Sequence, residues 1–258
     1  MNIFTQLIKS IYSPNDIARF RFQGIGKTIL YVFILTLISI IPASYYSAST
    51  ISEAAESVKE TMKTDIPSFS IEQGELKSEL KAPLTIKNES FTLIFDSTGT
   101  IEQKDLTGMD ATFAILKNEA VLAAGGETNS FSYTLFGAET MTKQDIQRLI
   151  NSASSSLPIW IGLLLIFIFV FSIGMKFIEV SILALFGLLL KNLAGRNLQY
   201  KQLWRMASYS VTLPTIFFAI MTLLKTTVPY SFAINWFVGS MILLLAIKEV
   251  PIPKKKND

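Results

Sequence analysis

The 258-residue chain contains no cysteine and no histidine. The first absence excludes a disulfide framework and thiolate metal sites, and the second excludes imidazole ligation. Together they exclude Ser-His-Asp and Cys-His catalysis. Carboxylate chemistry, Ser-Lys chemistry and carboxylate-bound Mg²⁺ or Ca²⁺ remain open. No Gly-Lys-Ser/Thr phosphate loop is present either. The missing cysteines suit an extracytoplasmic domain that folds without disulfides. Charge, too, is scarce over long stretches: residues 28–46 carry none, and residues 157–190 carry only Lys176 and Glu179.

What fills those stretches is apolar. Half of all residues are hydrophobic and the mean hydropathy is +0.42, high for a soluble domain. The excess lies in residues 28–47 and 157–250, with ordinary soluble composition between them. The run TILYVFILTLISIIPASYY (28–46) is long enough to cross a bilayer as a helix, and Tyr45 and Tyr46 suit its interface. Lys9, Arg19, Arg21 and Lys27 precede it against one acid, Asp16, which predicts a cytoplasmic N-terminus and an external Ser47. A cleaved signal peptide is the rival reading, but the basic region is long and the apolar core exceeds a usual signal core.

Two further runs, 206–224 and 231–247, form a predicted hairpin. The 191–205 segment before them carries Lys191, Arg196, Lys201 and Arg205 without an acid, and the 248–258 tail carries Lys248, Lys254, Lys255 and Lys256. Both are expected in the cytoplasm. The chain must then cross an odd number of times between 157 and 190. Those residues make a helix of roughly 51 Å, whereas one crossing needs about 30 Å. One long helix is therefore expected, with Ser154–Ser156 as caps, Pro158 in its first turn and Trp160 at the outer interface. Its surplus must tilt, pack on the other spans, or bend back at Gly187 or Gly195. Five spans, with the run divided, is the alternative. Ser172, Lys176 and Glu179 share one helical face. They read either as an interfacial lysine with a carboxylate partner or as a polar stripe buried in the bundle.

Residues 48–156 hold 16 acids and 9 bases, whereas the rest of the chain holds 4 acids and 14 bases. Ile51, Ala55, Val58 and Met62 recur at helical spacing up to Pro67, and short alternating runs follow. Turns are expected at Gly74, at DSTG (96–99), around Asn118 and at AGGE (124–127). TKQDIQRLINSA (142–153) reads as a helix capped by Thr142. The expectation is a small α+β domain with one antiparallel sheet and helices at both membrane junctions. DSTGT (96–100) is similar to acidic loops that bind phosphate or metal, but alone it reads as a turn. Asp96, Asp105 and Asp110 could gather on one side, although their spacing matches no calcium loop. No catalytic, cofactor-binding or metal-ligating residue is singled out, and no cofactor is implied.

At the N-terminus, Ile3, Phe4, Leu7, Ile8 and Ile11 fall on one helical face with Lys9 on another, up to Pro14. Such a helix lies in a membrane interface. In the third run, Ser208, Ser210, Thr212, Pro214 and Thr215 crowd one half. That pattern fits close helix packing or a kinked, mobile element. Lys201, Arg205, Tyr209 and Pro214 mark the expected contact for a cytoplasmic partner or acidic lipid.

Three stretches together carry a resemblance: FTQLIKSIYSPNDIARFRFQGIGKTILYVFILTLISIIP (4–42), FTLIFDSTGT (91–100) and YKQLWRMASYSVTLP (200–214). They resemble the Firmicute membrane family called domain-of-unknown-function family 1189, some members of which are labelled maltodextrin utilization protein. The Tyr-Ser-x-x-x-Pro feature is also similar, more weakly, to the bacterial Yip1-type membrane fold. The family carries no established catalytic residues, and its label implies operon association rather than a mechanism.

The fold class expected is thus a membrane protein, an α-helical bundle of about four transmembrane helices with an inserted small α+β extracytoplasmic domain. Its segments are 1–27, 28–47, 48–156, 157–190, 191–205, 206–224, 231–247 and 248–258. The expected setting is a bacterial cell membrane with both termini cytoplasmic. The expected partners are membrane lipids and a membrane protein or second copy, with no nucleic acid. A non-enzymatic adaptor or sensor is the leading expectation, and an accessory subunit of an oligosaccharide transport system the alternative.

Overall fold

A computed structural model of the chain describes residues 1–88, 91–136 and 140–252. Lys254–Lys256 of the basic tail, and Asn257, lie outside the described residues. The chain divides into two compact units, one of residues 1–47 with 162–258 and one of residues 48–161.

The first unit is helical. Helix α1 (Ile3–Tyr12) is capped by the Asn2 side chain, which accepts from the Thr5 amide. Ser13 then ends α1 and starts α2 (Pro14–Phe20), where proline occupies a first-turn position that needs no amide donor. Helix α3 (Ile25–Thr64) begins here. Helix α4 (Lys143–Leu193) returns and ends at Gly195, whose φ of +64° is costly for any residue with a Cβ. Helices α5 (Tyr200–Ser210), α6 (Thr212–Leu223) and α7 (Ser231–Lys248) complete the unit. Ile17, Tyr31, Leu35, Leu183, Leu203, Met206 and Leu243 meet in its core. Gly187 lets α4 approach closely, since a Cβ there would stand 3.2 Å from Leu243 Cδ2 and 3.4 Å from Leu203 Cδ2.

Among the described residues, four helices are long and apolar enough to cross a membrane: α3, α4, α5–α6 taken together, and α7. The 157–190 run is not divided. It lies in one helix whose surplus packs on α5 and α7 through Val180, Leu183, Ala184 and Leu190. No break occurs at Gly187, and the bend comes at Gly195. The expected helix start at 154–158 is also corrected, because α4 runs straight through it. Ser155 and Ser156 donate back to the carbonyls of Asn151 and Ala153 instead of capping. The third run differs too. It is interrupted at Val211 and starts earlier, at Tyr200. Ser208 and Ser210 bond back to carbonyls one turn earlier, and Pro214 has no amide to offer Ser210.

The second unit holds two sheets where one antiparallel sheet was expected. Strands β1 (Phe69–Glu72), β2 (Glu75–Ser78) and β8 (Thr140–Thr142) form an antiparallel sheet in the order β2-β1-β8. Strands β3 (Leu84–Lys87), β4 (Thr92–Phe95), β5 (Thr112–Ile115), β6 (Glu119–Ala124) and β7 (Glu127–Ser132) form the other in sequential order. Its β4–β5 pair is parallel, because the connection crosses over through a short 3-10 turn at Gln103–Leu106. The hairpin turns at Gln73–Gly74 and Gly125–Gly126 have positive φ at both residues, the geometry that matches strand twist. Thr142 and Asp145 cap the start of α4 reciprocally, at 3.4 Å and 2.9 Å. Met62 of α3 packs into the core of Phe69, Ile71, Leu93, Phe95 and Ile115, and Ile146 and Ile150 of α4 pack against it.

Candidate functional site

Polar side chains inside the helical unit form the constellation with the most unusual chemistry. Lys176 and Glu179 lie one turn apart on α4, with Nζ and Oε2 at 2.7 Å. Their side chains are only 14% and 17% exposed. Lys176 Nζ also donates to Thr215 Oγ1 on α6 at 3.1 Å. Asn235 Nδ2 on α7 donates to Glu179 Oε1 at 2.7 Å. Three helices therefore meet at one ion pair, and each charge has a second, hydrogen-bonded partner on another helix. Both side chains face other helices, and the lysine has the carboxylate partner that either sequence reading expected. Ser172 is half-buried on the same helix face and is not joined to the pair. Thr215 and Asn235 were not in the expected stripe. The signal for Asn235 was present, as the lone amide in the apolar run 231–247.

A second polar cluster surrounds Tyr209. Its ring lies 4.5 Å from that of Phe20 and 4.3 Å from that of Tyr31. Its hydroxyl donates to Gln6 Oε1 at 3.1 Å. Thr212 Oγ1 donates to the Tyr209 carbonyl at 2.7 Å, so the 2.5 Å contact between Tyr31 and Thr212 has the tyrosine as donor. Helix α1 is thus attached through its polar side. Gln6 and Ser10 are buried, while Phe4, Ile8 and Tyr12 point away from the protein at more than half exposure. Ile3, Leu7 and Ile11 are half-buried. The Gln6 amide nitrogen has no partner among the described residues.

Of the four residues expected to meet a partner or lipid, the structure separates two from the surface. Tyr209 and Pro214 are buried and would reach a partner only if the bundle opened, a correction to the expected contact. Lys201 is exposed. Arg205 is half-buried, and its Nη1 donates to the Arg21 carbonyl at 3.0 Å. Arg21 donates to the Ala18 carbonyl, Lys191 to the Leu198 carbonyl at 2.6 Å and Arg196 to the Lys248 carbonyl at 2.8 Å. Much of the basic charge therefore satisfies carbonyls that helix ends and loops leave unpaired. Asp16 pairs with Lys9, with Nζ and Oδ1 at 3.0 Å. Burial pushes its carboxyl up, but hydrogen bonds from Lys9 and Ser13 outweigh this and hold it below its ordinary range.

In the second unit Asp96, Asp105 and Asp110, whose gathering the sequence left open, each bond separately. Asp96 is fully buried and bonds within its own turn. Oδ1 accepts from the Thr98 amide at 2.8 Å and hydroxyl at 2.6 Å, and Oδ2 accepts from the Ile101 amide at 2.7 Å. Burial raises its pKa, yet these donors, Thr98 first, bring it below the usual aspartate value. Asp105 accepts from the Glu102 amide, and Asp110 from the Gly125 amide. Among the described residues, no three acidic side chains are grouped to hold a metal ion. The DSTGT segment is a self-satisfied turn.

The fold and these contacts define a class: a protein with four helices apolar enough to cross a membrane, joined by polar contacts within the bundle, and carrying a small sheet-containing unit. Residues 4–247 match the family described as "Protein of unknown function (DUF1189)", and the chain belongs to that family. Neither a curated protein nor a solved structure matches it.

Proposed function

We propose that this is a multi-pass membrane protein that acts as a non-enzymatic adaptor or sensor, coupling an external domain to a membrane partner. One observation carries the reading. Helices α3 and α4 each run without interruption from an apolar span into the sheet-containing unit, over 40 and 51 residues. A flexible linker would absorb a change in the domain, whereas a continuous helix passes it along the chain. Exposed apolar side chains on α3 and α4, among them Leu30, Phe33, Leu163, Phe167 and Phe171, support the membrane setting. The excess of bases at 1–27 and 191–205 supports cytoplasmic placement of those segments, with both termini inside and residues 48–156 outside.

Gentle purification of the intact protein, beside a version lacking residues 52–150, tests the coupling. A partner that stays with the intact protein supports it, and the deletion shows which side holds that partner. Co-purification of a permease would favour the accessory role in oligosaccharide transport. Recovery of nothing but lipid would count against the adaptor. Orientation has its own test, because no native cysteine interferes. Single cysteines at Ser97, Asn197 and Asn257 are expected to react from outside, inside and inside respectively.

A further inference from the structure

The sheet-containing unit holds an apolar cleft, open on one side, that its own fold does not fill. A cavity of about 510 Å³ is walled by Ala55 and Val58 of α3, Ile150 and Ala153 of α4, and Phe113 and Leu122 of the larger sheet. A second, of about 240 Å³, shares Val58, Phe113 and Ile150 with it and reaches back towards Leu93 and Tyr133. Among the described residues, no charged side chain lines either one. Leu122 stays 42% exposed although it lies on a strand of the sheet. The helices are held together beyond the cavity, where Lys143 Nζ donates to the Ile66 carbonyl at 2.5 Å and Gln147 to the Met62 carbonyl at 3.4 Å. Between this clasp and the apolar runs, the space between helices and sheet stays unfilled.

Two features name an occupant. The lining extends on α4 to Leu157, the first residue of the apolar run, so the cavity begins where the expected span begins. A third, polar pocket of about 240 Å³ shares Ile150 with both cavities and Met62 with the smaller one. Lys59 and Lys63 of α3 and Gln147 and Asn151 of α4 line it. Lys59 is paired with Glu56, and Lys63 makes no ion pair among the described residues. On α3 the lining passes directly from Ala54, Ala55 and Val58 of the cavity to Lys59 and Lys63 of the basic pocket, and on α4 from Leu157 and Ala153 to Asn151 and Gln147. Apolar lining near the span, with basic lining farther out, is the order of tail and headgroup in an outer leaflet. We infer that the cavity takes an acyl chain of an anionic membrane phospholipid drawn up from the bilayer, with its headgroup towards Lys63. The volume lies within the range of small-molecule sites. The inference rests on the membrane reading above and names the ligand that the external domain would sense.

The test uses the full-length protein in lipid nanodiscs doped with phosphatidylglycerol that carries a diazirine on its acyl chain. After irradiation, adducts are mapped by mass spectrometry. Adducts on the strand peptides bearing Phe113 and Leu122 are expected, beside those on the spans. Ala55→Trp and Ala153→Trp each fill the cavity and should cut strand labelling at least fivefold, with span labelling and melting temperature unchanged. Phosphatidylcholine carrying the same diazirine should label the strands severalfold less, and Lys63→Gln should erase that preference. Labelled spans with bare strands would overturn the inference and leave the membrane reading intact. Strand labelling that survives both tryptophans would overturn it as well, as would strand labelling by a diazirine fatty acid alone. Bare spans would count against the membrane reading itself. Partner co-purification is read separately, so the adaptor proposal and this inference fail independently.

Discussion

The two units differ in how far their larger buried polar side chains reach for a partner. In the helical unit the small hydroxyls of Ser10, Thr36, Ser208 and Ser210 bond back to their own helix, but the larger side chains reach remote partners: Tyr31 and Thr212 lie 181 positions apart, Gln6 and Tyr209 203, Glu179 and Asn235 56. In the sheet unit they are close by. Asp96 is satisfied within five residues, and Thr142 and Asp145 cap each other within three. The Tyr133 hydroxyl, which burial pushes well above its usual pKa, donates to the Leu116 carbonyl 17 positions away. Inside a helix a serine or threonine can share a carbonyl of the preceding turn, whereas a longer side chain such as Gln6, Tyr31 or Asn235 finds its partner on another helix. A turn leaves backbone amides unpaired, and a neighbouring aspartate can take them. Remote contacts fix how helices dock, whereas local ones fix only the shape of a loop.

The comparison breaks most readily at the ion pair. Lys176→Met leaves Glu179 buried without its counter-charge and is expected to destabilise the purified protein by roughly 3–5 kcal/mol. The double change Lys176→Met with Glu179→Leu should cost much less than that single change, because no orphaned charge remains. A double change as costly as Lys176→Met would show that the pair itself, and not the avoidance of an orphan, stabilises the bundle. Thermal melting of the unchanged protein, the single change and the double change in one detergent measures this.

The local counterpart should cost less. Asp96→Ala strips the acceptor from three donors and is expected to cost about 2–3 kcal/mol, read from hydrogen exchange of strands β4 and β5. It also carries a pH dependence. The folded carboxyl titrates below the unfolded value of about 3.9, so its stabilisation is complete above that value. It is lost as pH falls through the lower, folded pKa. Asp96→Asn should flatten this acid limb, and an unchanged limb would mean that another carboxylate dominates it.

Gly187→Ala probes helix docking without touching a polar group. Its Cβ must displace Leu243 and Leu203 by tenths of an ångström, at an expected cost of about 1–3 kcal/mol in melting experiments. Tyr31→Phe removes one remote hydrogen bond and should cost about 1 kcal/mol. The Lys77→Ala change, at an exposed pair with Glu72, should leave melting unchanged.

Much of the architecture was legible in the letters. Runs with little or no charge marked the long apolar helices, because about twenty such residues are what a helix needs to cross a bilayer. Glycine and Asx residues marked the turns, and Thr142 its cap, because those effects act over a few positions. The continuity of α3 and α4 was harder to see. Pro42 and Pro158 sit inside them, and proline favours but does not force an end. Two sheets instead of one, and the parallel β4–β5 pair, depend on crossovers that alternation does not encode. The Lys176–Glu179 pair could be named in advance, being one turn apart on one helix. Its partners Thr215 and Asn235 could not, because they meet it only when α4, α6 and α7 dock. The cavity beside Leu122 has no sequence signature either, since an apolar strand residue reads the same packed or bare. Periodicity, charge and turn chemistry are properties of neighbours, and the sequence by itself determined those. Which distant faces meet, and what space they leave between them, was decided by packing in three dimensions.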